Sequence, residues 1–181
     1  MTDTDPDFAR AQAFAARAHD GQTRKGAAAE PYVNHVIEVA EILAAHGAPR
    51  EAILAAYLHD TVEDTTVTPA DLAAEFGGGI AGIVAEATDD KSLPKEIRKA
   101  LQISHALECS VPAKQLKLAD KISNLRAIAT SPPAAWNHAR RVEYVGWAGR
   151  VAAGLKGCNP ALDALFDETY RAALTRLAAE A

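Results

Sequence analysis

Aromatic residues, cysteines and long apolar runs are all scarce in this chain of 181 residues. Aromatics make up 6% of the sequence, and the two cysteines are Cys109 and Cys158. Two cysteines are too few for a disulfide framework, and these two lack the short spacing of a zinc motif. No apolar stretch approaches the roughly 20 residues that a membrane-spanning helix requires. The composition therefore argues against a disulfide-rich fold, a cysteine metal site and a membrane protein.

Strand-like alternation of apolar and polar residues is nearly absent, whereas Ala-rich runs such as FAARA, AEILAAH and LAAEF recur. Alanine is the best helix former and packs poorly on a pleated sheet. Hydrophobic residues make up 49% of the chain, enough to bury a sizeable core at this length. We therefore expect an all-α fold, a single domain over residues 1–181 built as a bundle of roughly eight to ten helices. Its core is expected at about residues 8–155, followed by a C-terminal helix at about 159–179.

The net charge of −5 argues against bulk nucleic-acid binding, which requires a clustered basic surface. The N-terminal segment MTDTDPDF is acidic, whereas a signal peptide begins basic and then turns apolar. We therefore expect a soluble cytoplasmic protein with no nucleic-acid or membrane partner. The oligomeric state stays open between monomer and homodimer, since the Ala-rich helix from Asn159 can pack on a partner.

Periodicity and capping residues place the individual helices. Asn34 is a good N-cap for the second helix, and Thr68-Pro69 fits an N-cap followed by proline at the first helical position. The predicted helices lie at about residues 7–20, 34–45, 49–60, 69–76, 80–87, 95–108, 112–130, 134–155 and 159–179.

Four polar residues interrupt apolar helical segments. His35 opens HVIEVAEIL, the pair His59-Asp60 follows AILAAYL, and Asp120 lies within QLKLADKISNL. A buried imidazole or carboxylate costs several kcal/mol unless it is paired or coordinated. Taken singly, each residue fits a satisfied core group or a helix cap, but together we interpret them as the ligands of one metal ion. Two imidazoles and two carboxylates suit Mn, Fe or Zn, with room for water.

The spacing adds a constraint on this site. His59 and Asp60 are neighbours, so on a regular helix their side chains diverge by about 100°. Both can reach one ion near a helix end, and the β-branched residues of LHDTVEDTT favour an end there. His35 and Asp120 are far away in sequence, so they must come from other helices.

Glu63 and Asp64 follow three and four residues after Asp60. If the helical path continues, they lie one turn beyond His59 and Asp60. Acidic groups beside a metal can order an attacking water or exchange protons with a leaving group. A solvated acidic turn is the alternative interpretation, and the spacing does not decide between the two.

Basic residues provide candidates for anion binding. Arg24-Lys25 lies in a Gly-flanked loop close to His35. Basic residues on helix surfaces commonly serve solubility, but that does not explain a basic pair in this loop. Arginine suits bidentate phosphate contacts and lysine supplies a point charge. We expect most of the other basic residues to be solvated: Lys91, Lys95, Arg98, Lys99, Lys117, Lys121, Arg140 and Arg141.

Two further residues carry possible functions. Asn124 lies one turn after Asp120 and either contacts a substrate, supports the metal ligand or is a satisfied core amide. Tyr144 can stack on a base or ribose, although a packing role is the default, as it is for Trp136 and Trp147. The remaining histidines are expected to be surface or loop residues without a role: His19, His46, His105 and His138.

Together these residues resemble the HD-domain metal phosphohydrolases, whose pattern is a His, a His-Asp pair and a distant Asp. The segments RKGAAAEPYVNH, ILAAYLHDTVEDT, VAEATDDKSLPKEIRK, KLADKISNL and EYVGWA resemble the hydrolase domain of the RelA/SpoT family. Since synthetase and regulatory segments are not present here, the chain is similar to the stand-alone small alarmone hydrolases, including the metazoan SpoT homologues. The likeness runs from about Phe8 to Leu155.

The resemblance implies a Mn²⁺-dependent enzyme that removes the 3′-pyrophosphate of guanosine tetra- and pentaphosphate (ppGpp and pppGpp), giving GDP or GTP. It implies one Mn²⁺ held by the four predicted ligands and Glu63 and Asp64 as the catalytic pair. It also implies substrate contacts from Arg24, Lys25, Lys95, Asn124 and Tyr144.

One departure from the family pattern is visible, because the ligand histidine is commonly followed by proline and here by Val36. Since Asn34 can cap the helix, we expect little effect on the metal. Two alternatives stay open: a phosphatase for another nucleotide, such as the 2′-phosphate of NADPH, and a nucleotide-binding module without catalysis.

Overall fold

The protein is described here by a computed structural model, which covers residues 5–180. It is all-α, and within those residues the backbone forms helices joined by loops. The helices are α1 Pro6–Ala18, α2 Val33–Ala45, α3 Arg50–Leu58, α4 Thr61–Asp64, α5 Pro69–Phe76, α6 Gly78–Ala87, α7 Lys95–His105, α8 Val111–Thr130, α9 His138–Leu155 and α10 Pro160–Ala178.

Several helix starts follow directly from local sequence chemistry. Thr68 and Asp71 form a reciprocal capping box at the start of α5, with Pro69 as the first helical residue. Ser110 caps α8 through its side chain and Asn159 caps α10 in the same way. These contacts satisfy amide groups that the first helical turn leaves without a partner.

Other boundaries differ from the sequence-based expectation. The predicted N-cap Asn34 is wrong, because α2 begins after Tyr32 and that position makes no side-chain cap. The predicted helix over 134–155 begins only at His138, where Asn137 provides the cap. The segment before it is held instead by an antiparallel bridge between Gly26 and Pro133. A long-range pairing of this kind is invisible to helix periodicity.

Helix α8 is central to the packing. It contacts α2, α3, α6, α9 and α10, and it is buried on more than one side. Its buried residues include the polar side chains of Lys117, Lys121 and Ser123 alongside Leu116 and Ile122. A helix surrounded in this way places polar groups inside the protein, where each requires a partner.

The C-terminal helix α10 packs on α8 and α9 of the same chain. Leu162, Phe166 and Leu177 form its buried face. Among residues 5–180, no helix combines the length and apolarity that crossing a membrane demands.

Candidate metal centre and adjoining cavity

Different helices supply the four predicted metal ligands. His35 lies in the first turn of α2 and Asp120 in the middle of α8. His59 and Asp60 lie between α3 and α4, where His59 follows the last residue of α3 and Asp60 is the N-cap position of α4. The short break between the two helices lets the neighbouring side chains of His59 and Asp60 point to one place, as binding to one ion requires.

The donor atoms of these residues converge. His35 Nε2 lies 3.2 Å from Asp120 Oδ1 and 3.7 Å from Asp60 Oδ2. His59 Nε2 lies 3.2 Å from Asp60 Oδ2 and 3.8 Å from Asp120 Oδ1. Ligand atoms of His35, His59 and Asp120 all lie within 4.8 Å of one another. We call these four residues the metal cluster.

The chemistry of the cluster fits a divalent cation. His59 Nδ1 lies 2.7 Å from the carbonyl oxygen of Ala56, so the ring proton belongs on Nδ1. The opposite atom, Nε2, is buried and lacks a hydrogen-bond partner within residues 5–180. With Nδ1 held by a carbonyl, Nε2 is the atom that faces the two carboxylates, which is the arrangement that a coordinated imidazole requires.

Charge coupling within the cluster supports the same interpretation. Although burial disfavours the charged form, Asp60 and Asp120 hold the pKa of His59 well above its ordinary value. Burial also opposes ionisation of Asp120, yet Lys121 and the two histidines hold its pKa well below the usual range. The carboxylates thus favour positive charge at this point, which a bound cation would supply in place of the imidazole proton.

Side chains outside the cluster hold its carboxylates in place. The hydroxyl of Tyr32 donates to Asp60 Oδ2 at 2.6 Å. The amide of Asn124 donates to Asp120 Oδ1 at 2.7 Å, and Lys121 Nζ donates to Asp120 Oδ2 at 2.9 Å. Asn124 therefore supports a predicted metal ligand, one of the roles that the sequence left open.

Glu63 and Asp64 occupy the short helix α4 directly beside the cluster. The backbone N–H of Asp89 donates to Glu63 Oε2 at 3.1 Å, and Arg98 Nη1 lies 3.9 Å from Glu63 Oε1. Burial raises the pKa of Glu63, repulsion from Asp89 and Asp60 adds to this, and the hydrogen bond from Asp89 opposes it. Asp64 is more exposed and pairs with Lys91.

Two cavities adjoin at the cluster. The smaller, of about 180 Å³, is lined by the metal cluster together with Glu63, Asp89, Gln102, Lys117 and Lys121. The larger, of about 480 Å³, is lined by residues 22–26, Trp136 and Tyr144, among others. Four residues line both cavities: Tyr32, His35, Asp64 and Asn124. A ligand can therefore extend from the cluster into the larger space.

The wall of the larger cavity is a pair of loops. Gly26 bridges to Pro133, and the N–H of Ala134 donates to the carbonyl of Lys25 at 3.1 Å. A Cβ on Gly26 would lie 2.4 Å from Ser131 Oγ and 2.6 Å from its carbonyl oxygen, so only glycine fits this approach. The contact positions Arg24 and Lys25 over the cavity.

Aromatic side chains also line the larger cavity. The ring centroids of Trp136 and Tyr144 lie 5.4 Å apart, and the Arg140 guanidinium lies 5.0 Å from the Trp136 ring. Burial raises the pKa of Tyr144 to about 12, so its hydroxyl stays protonated. The sequence gave Trp136 a packing role, yet it lines the cavity; its place just after Ser131-Pro132-Pro133 was the available signal.

Some expectations about single residues need correction. His19 is buried rather than on the surface, and its Nδ1 lies 2.9 Å from Gln22 Oε1. Lys117 and Lys121 are buried rather than solvated. Lys95, the first residue of α7, is exposed and does not line either cavity, so its substrate contact stays a prediction. Tyr32, Ser123, Asp89 and Gln102 were not singled out from sequence.

Comparison with known proteins places the chain in a family. A family model described as HD domain matches residues 11–148, so the chain belongs to the HD-domain family. Within that family it is 46% identical to the guanosine-3′,5′-bis(diphosphate) 3′-pyrophosphohydrolase MESH1 of Xenopus tropicalis. That alignment covers 87% of this chain and 89% of the relative.

Two further comparisons agree. The Drosophila melanogaster protein of the same name is 44% identical over 87% of this chain and 89% of its own length. A solved structure of a metazoan ortholog of SpoT, described as hydrolyzing ppGpp, superposes with a TM-score of 0.90 at 42% identity. The superposition covers 94% of this chain and 97% of the other.

Proposed function

We propose that this protein is a Mn²⁺-dependent hydrolase that removes the 3′-pyrophosphate of ppGpp and pppGpp, giving GDP or GTP. The observation that carries the proposal is the convergence of two histidines and two aspartates on one point where two cavities adjoin. The names of relatives that are 44–46% identical over most of the chain support this choice of substrate.

His35, His59, Asp60 and Asp120 would hold the ion, and the mixed nitrogen and oxygen donors suit Mn²⁺. A bound divalent ion supplies charge neutralisation at phosphorus and lowers the pKa of water towards neutrality. The buried Nε2 of His59 and the hydrogen bonds that fix Asp60 and Asp120 are the support for this assignment.

The proposed reaction breaks the bond between the ribose 3′-oxygen and the adjacent phosphorus. Water oxygen bonds to that phosphorus, the 3′-oxygen leaves with a proton, and pyrophosphate is released. Glu63 lines the smaller cavity beside the cluster, and burial raises its pKa, which favours a role in accepting and returning protons. Asp64 lines both cavities and would orient the water.

The remaining residues bind the nucleotide in this proposal. Arg24 and Lys25 neutralise phosphate charge from the loop over the larger cavity. Tyr144 and Trp136 offer aromatic surfaces to the nucleoside. Lys95 is proposed as a further phosphate contact on the strength of the family resemblance.

The test is product analysis with metal-stripped protein, with and without added Mn²⁺, against ppGpp and NADPH in parallel. We expect Mn²⁺-dependent GDP and pyrophosphate. His59→Ala should reduce the rate to that of the metal-free protein, because it removes a ligand. His105→Ala, at an exposed position on α7, is the matched control and should behave as wild type.

Two outcomes would contradict the proposal. If His59→Ala keeps wild-type hydrolysis after Mn²⁺ is restored, the cluster does not carry the reaction. Release of orthophosphate and NADH from NADPH, with ppGpp left intact, would make the protein a phosphatase for another nucleotide. Tight ppGpp binding without turnover would make it a binding module.

A further inference from the structure

A chain of hydrogen bonds leads away from the metal cluster behind His35. His35 Nδ1 lies 2.9 Å from Ser123 Oγ, and that hydroxyl donates to Glu38 Oε2 at 2.6 Å. Arg126 Nη1 donates to the other oxygen, Glu38 Oε1, at 3.2 Å. Glu38 lies one turn after His35 on α2, and Ser123 lies one turn after Asp120 on α8.

The chemistry of this chain fixes its direction. The carboxylate of Glu38 accepts hydrogen bonds and cannot donate, so the single hydroxyl proton of Ser123 points to Glu38. Ser123 Oγ then faces His35 as an acceptor, which requires the ring proton of His35 on Nδ1. The lone pair of His35 is thereby left on Nε2, the atom that faces Asp60 and Asp120.

Burial makes this arrangement hard to replace. Ser123 is 0% exposed and His35 is 2% exposed, so bulk water does not substitute for either partner. Arg24 Nη1 also lies near His35 Nδ1, at 3.3 Å, but a guanidinium donates only. Two donors cannot bond to each other, and the shorter contact with Ser123 is the compatible one.

We propose that Ser123 and Glu38 are positioning residues that hold the metal ligand His35 in the orientation and tautomer that present Nε2 to the ion. The proposal rests on the metal site of the proposed function. The two histidines differ here in a useful way. His59 Nδ1 is held by a backbone carbonyl, at Ala56, whereas His35 Nδ1 is held by side chains that substitution can remove.

The first test measures Mn²⁺ affinity by titration calorimetry on metal-stripped protein. Ser123→Ala and Glu38→Ala should each weaken binding about 10–100-fold, the usual effect of losing a group that orients a metal ligand. Glu38→Gln keeps an oxygen acceptor for Ser123 and should recover most of the affinity. Glu41→Ala, an exposed carboxylate on the same helix, and Ser104→Ala are the matched controls and should bind as wild type.

The second test reads the ring directly, by ¹⁵N NMR of histidine side chains in protein loaded with diamagnetic Zn²⁺. Wild type should show Nδ1–H for both His35 and His59. In Ser123→Ala the His35 Nδ1–H should exchange rapidly or disappear, while His59 is unchanged. Glu38→Ala should likewise lose the His35 signal and Glu38→Gln should keep it, a difference that a general loss of stability would not produce.

Either of two results would overturn the inference: Mn²⁺ affinity in Ser123→Ala and Glu38→Ala equal to wild type, or a His35 proton on Nε2. Failure of the proposed function looks different. Wild type that binds Mn²⁺ through His59 but leaves ppGpp intact would contradict the substrate assignment, with both binding and NMR results still standing.

Discussion

The two adjoining cavities are built in opposite ways. The smaller is walled mainly by residues on α2, α4, α6, α7 and α8 and at the junction of α3 and α4, and several of its polar side chains are fixed by specific partners. The larger takes much of its wall from the loops at residues 22–26 and 131–136, with exposed Lys25 at its edge. In the proposed function, the helices would hold the reacting groups and the loops would determine which nucleotide binds.

The division has a physical basis. A group that transfers protons or stabilises charge must keep its position to within a fraction of an ångström, and packed helices provide that rigidity. Loops accept changes in sequence and length at low cost, so they suit contacts that differ between substrates. Substitutions in the smaller cavity should therefore alter the reaction rate, and those in the larger cavity should alter substrate affinity.

The largest expected effect in this comparison is at Glu63. Glu63→Gln keeps the shape of the side chain and an acceptor for the Asp89 N–H but removes proton transfer. We expect kcat to fall by about 10²–10⁴-fold, with Mn²⁺ affinity unchanged. Steady-state kinetics and calorimetry measure the two quantities. A rate that survives would show that Glu63 is not the proton-transfer group.

The same variant should change stability with a predictable sign. The raised pKa means that folded Glu63 binds protons more readily than the unfolded chain, so its ionised form destabilises the fold above that pKa. Metal-free Glu63→Gln should therefore unfold at a higher temperature than wild type near pH 7. The advantage should shrink as pH falls towards the ordinary glutamate value of about 4.3. An advantage that does not vary with pH would contradict burial as its cause.

A smaller effect is expected on the aromatic side of the larger cavity. Trp136→Leu removes a stacking surface, and KM for ppGpp should rise about tenfold while kcat changes little. Mn²⁺ affinity should not change, because Trp136 lies away from the metal cluster. A loss of kcat with unchanged KM would contradict the assignment of substrate affinity to the larger cavity and reaction rate to the smaller one.

The smallest effect is expected at Lys25. An exposed lysine acts as a screened point charge, so Lys25→Gln should raise KM about fivefold or less, and the rise should shrink in high salt. Lys114→Gln, on α8 outside both cavities, is the matched control for the loss of one positive charge. A salt-independent change would indicate a direct hydrogen bond instead of screened attraction.

Much of the fold was predictable because helix periodicity and capping are local. The Thr68-Pro69 start and the end of α9 at Leu155 follow from neighbouring residues alone, and the structure confirms them. The start of α9 was wrong because the Gly26–Pro133 bridge joins distant segments. His19 was misassigned because the loop after α1 brings Gln22 and Tyr32 against its ring, which helix periodicity does not predict.

In the candidate site, too, some residues were predictable from local sequence and others were not. His35, His59, Asp60 and Asp120 were identifiable because polar residues within apolar helical segments require a common explanation. Their hydrogen-bond partners Ser123, Glu38 and Tyr32 were not identifiable, because these contacts of 2.6–2.9 Å join segments that are far apart in the sequence. Trp136 was missed because the sequence around it fits a packing role as well as it fits a place in a cavity wall.

By itself, the sequence determined an all-helical chain and the residue types that can bind a cation, since both depend on short-range pattern and composition. Only the tertiary structure decided which nitrogen of each histidine faces the cluster, which lysines are buried, and how the two cavities join. These properties depend on contacts between residues that are far apart in the sequence. Arg24 Nη2, for example, donates to Asn124 Oδ1 at 3.3 Å. No local pattern encodes such a distance, because packing of the whole chain sets it.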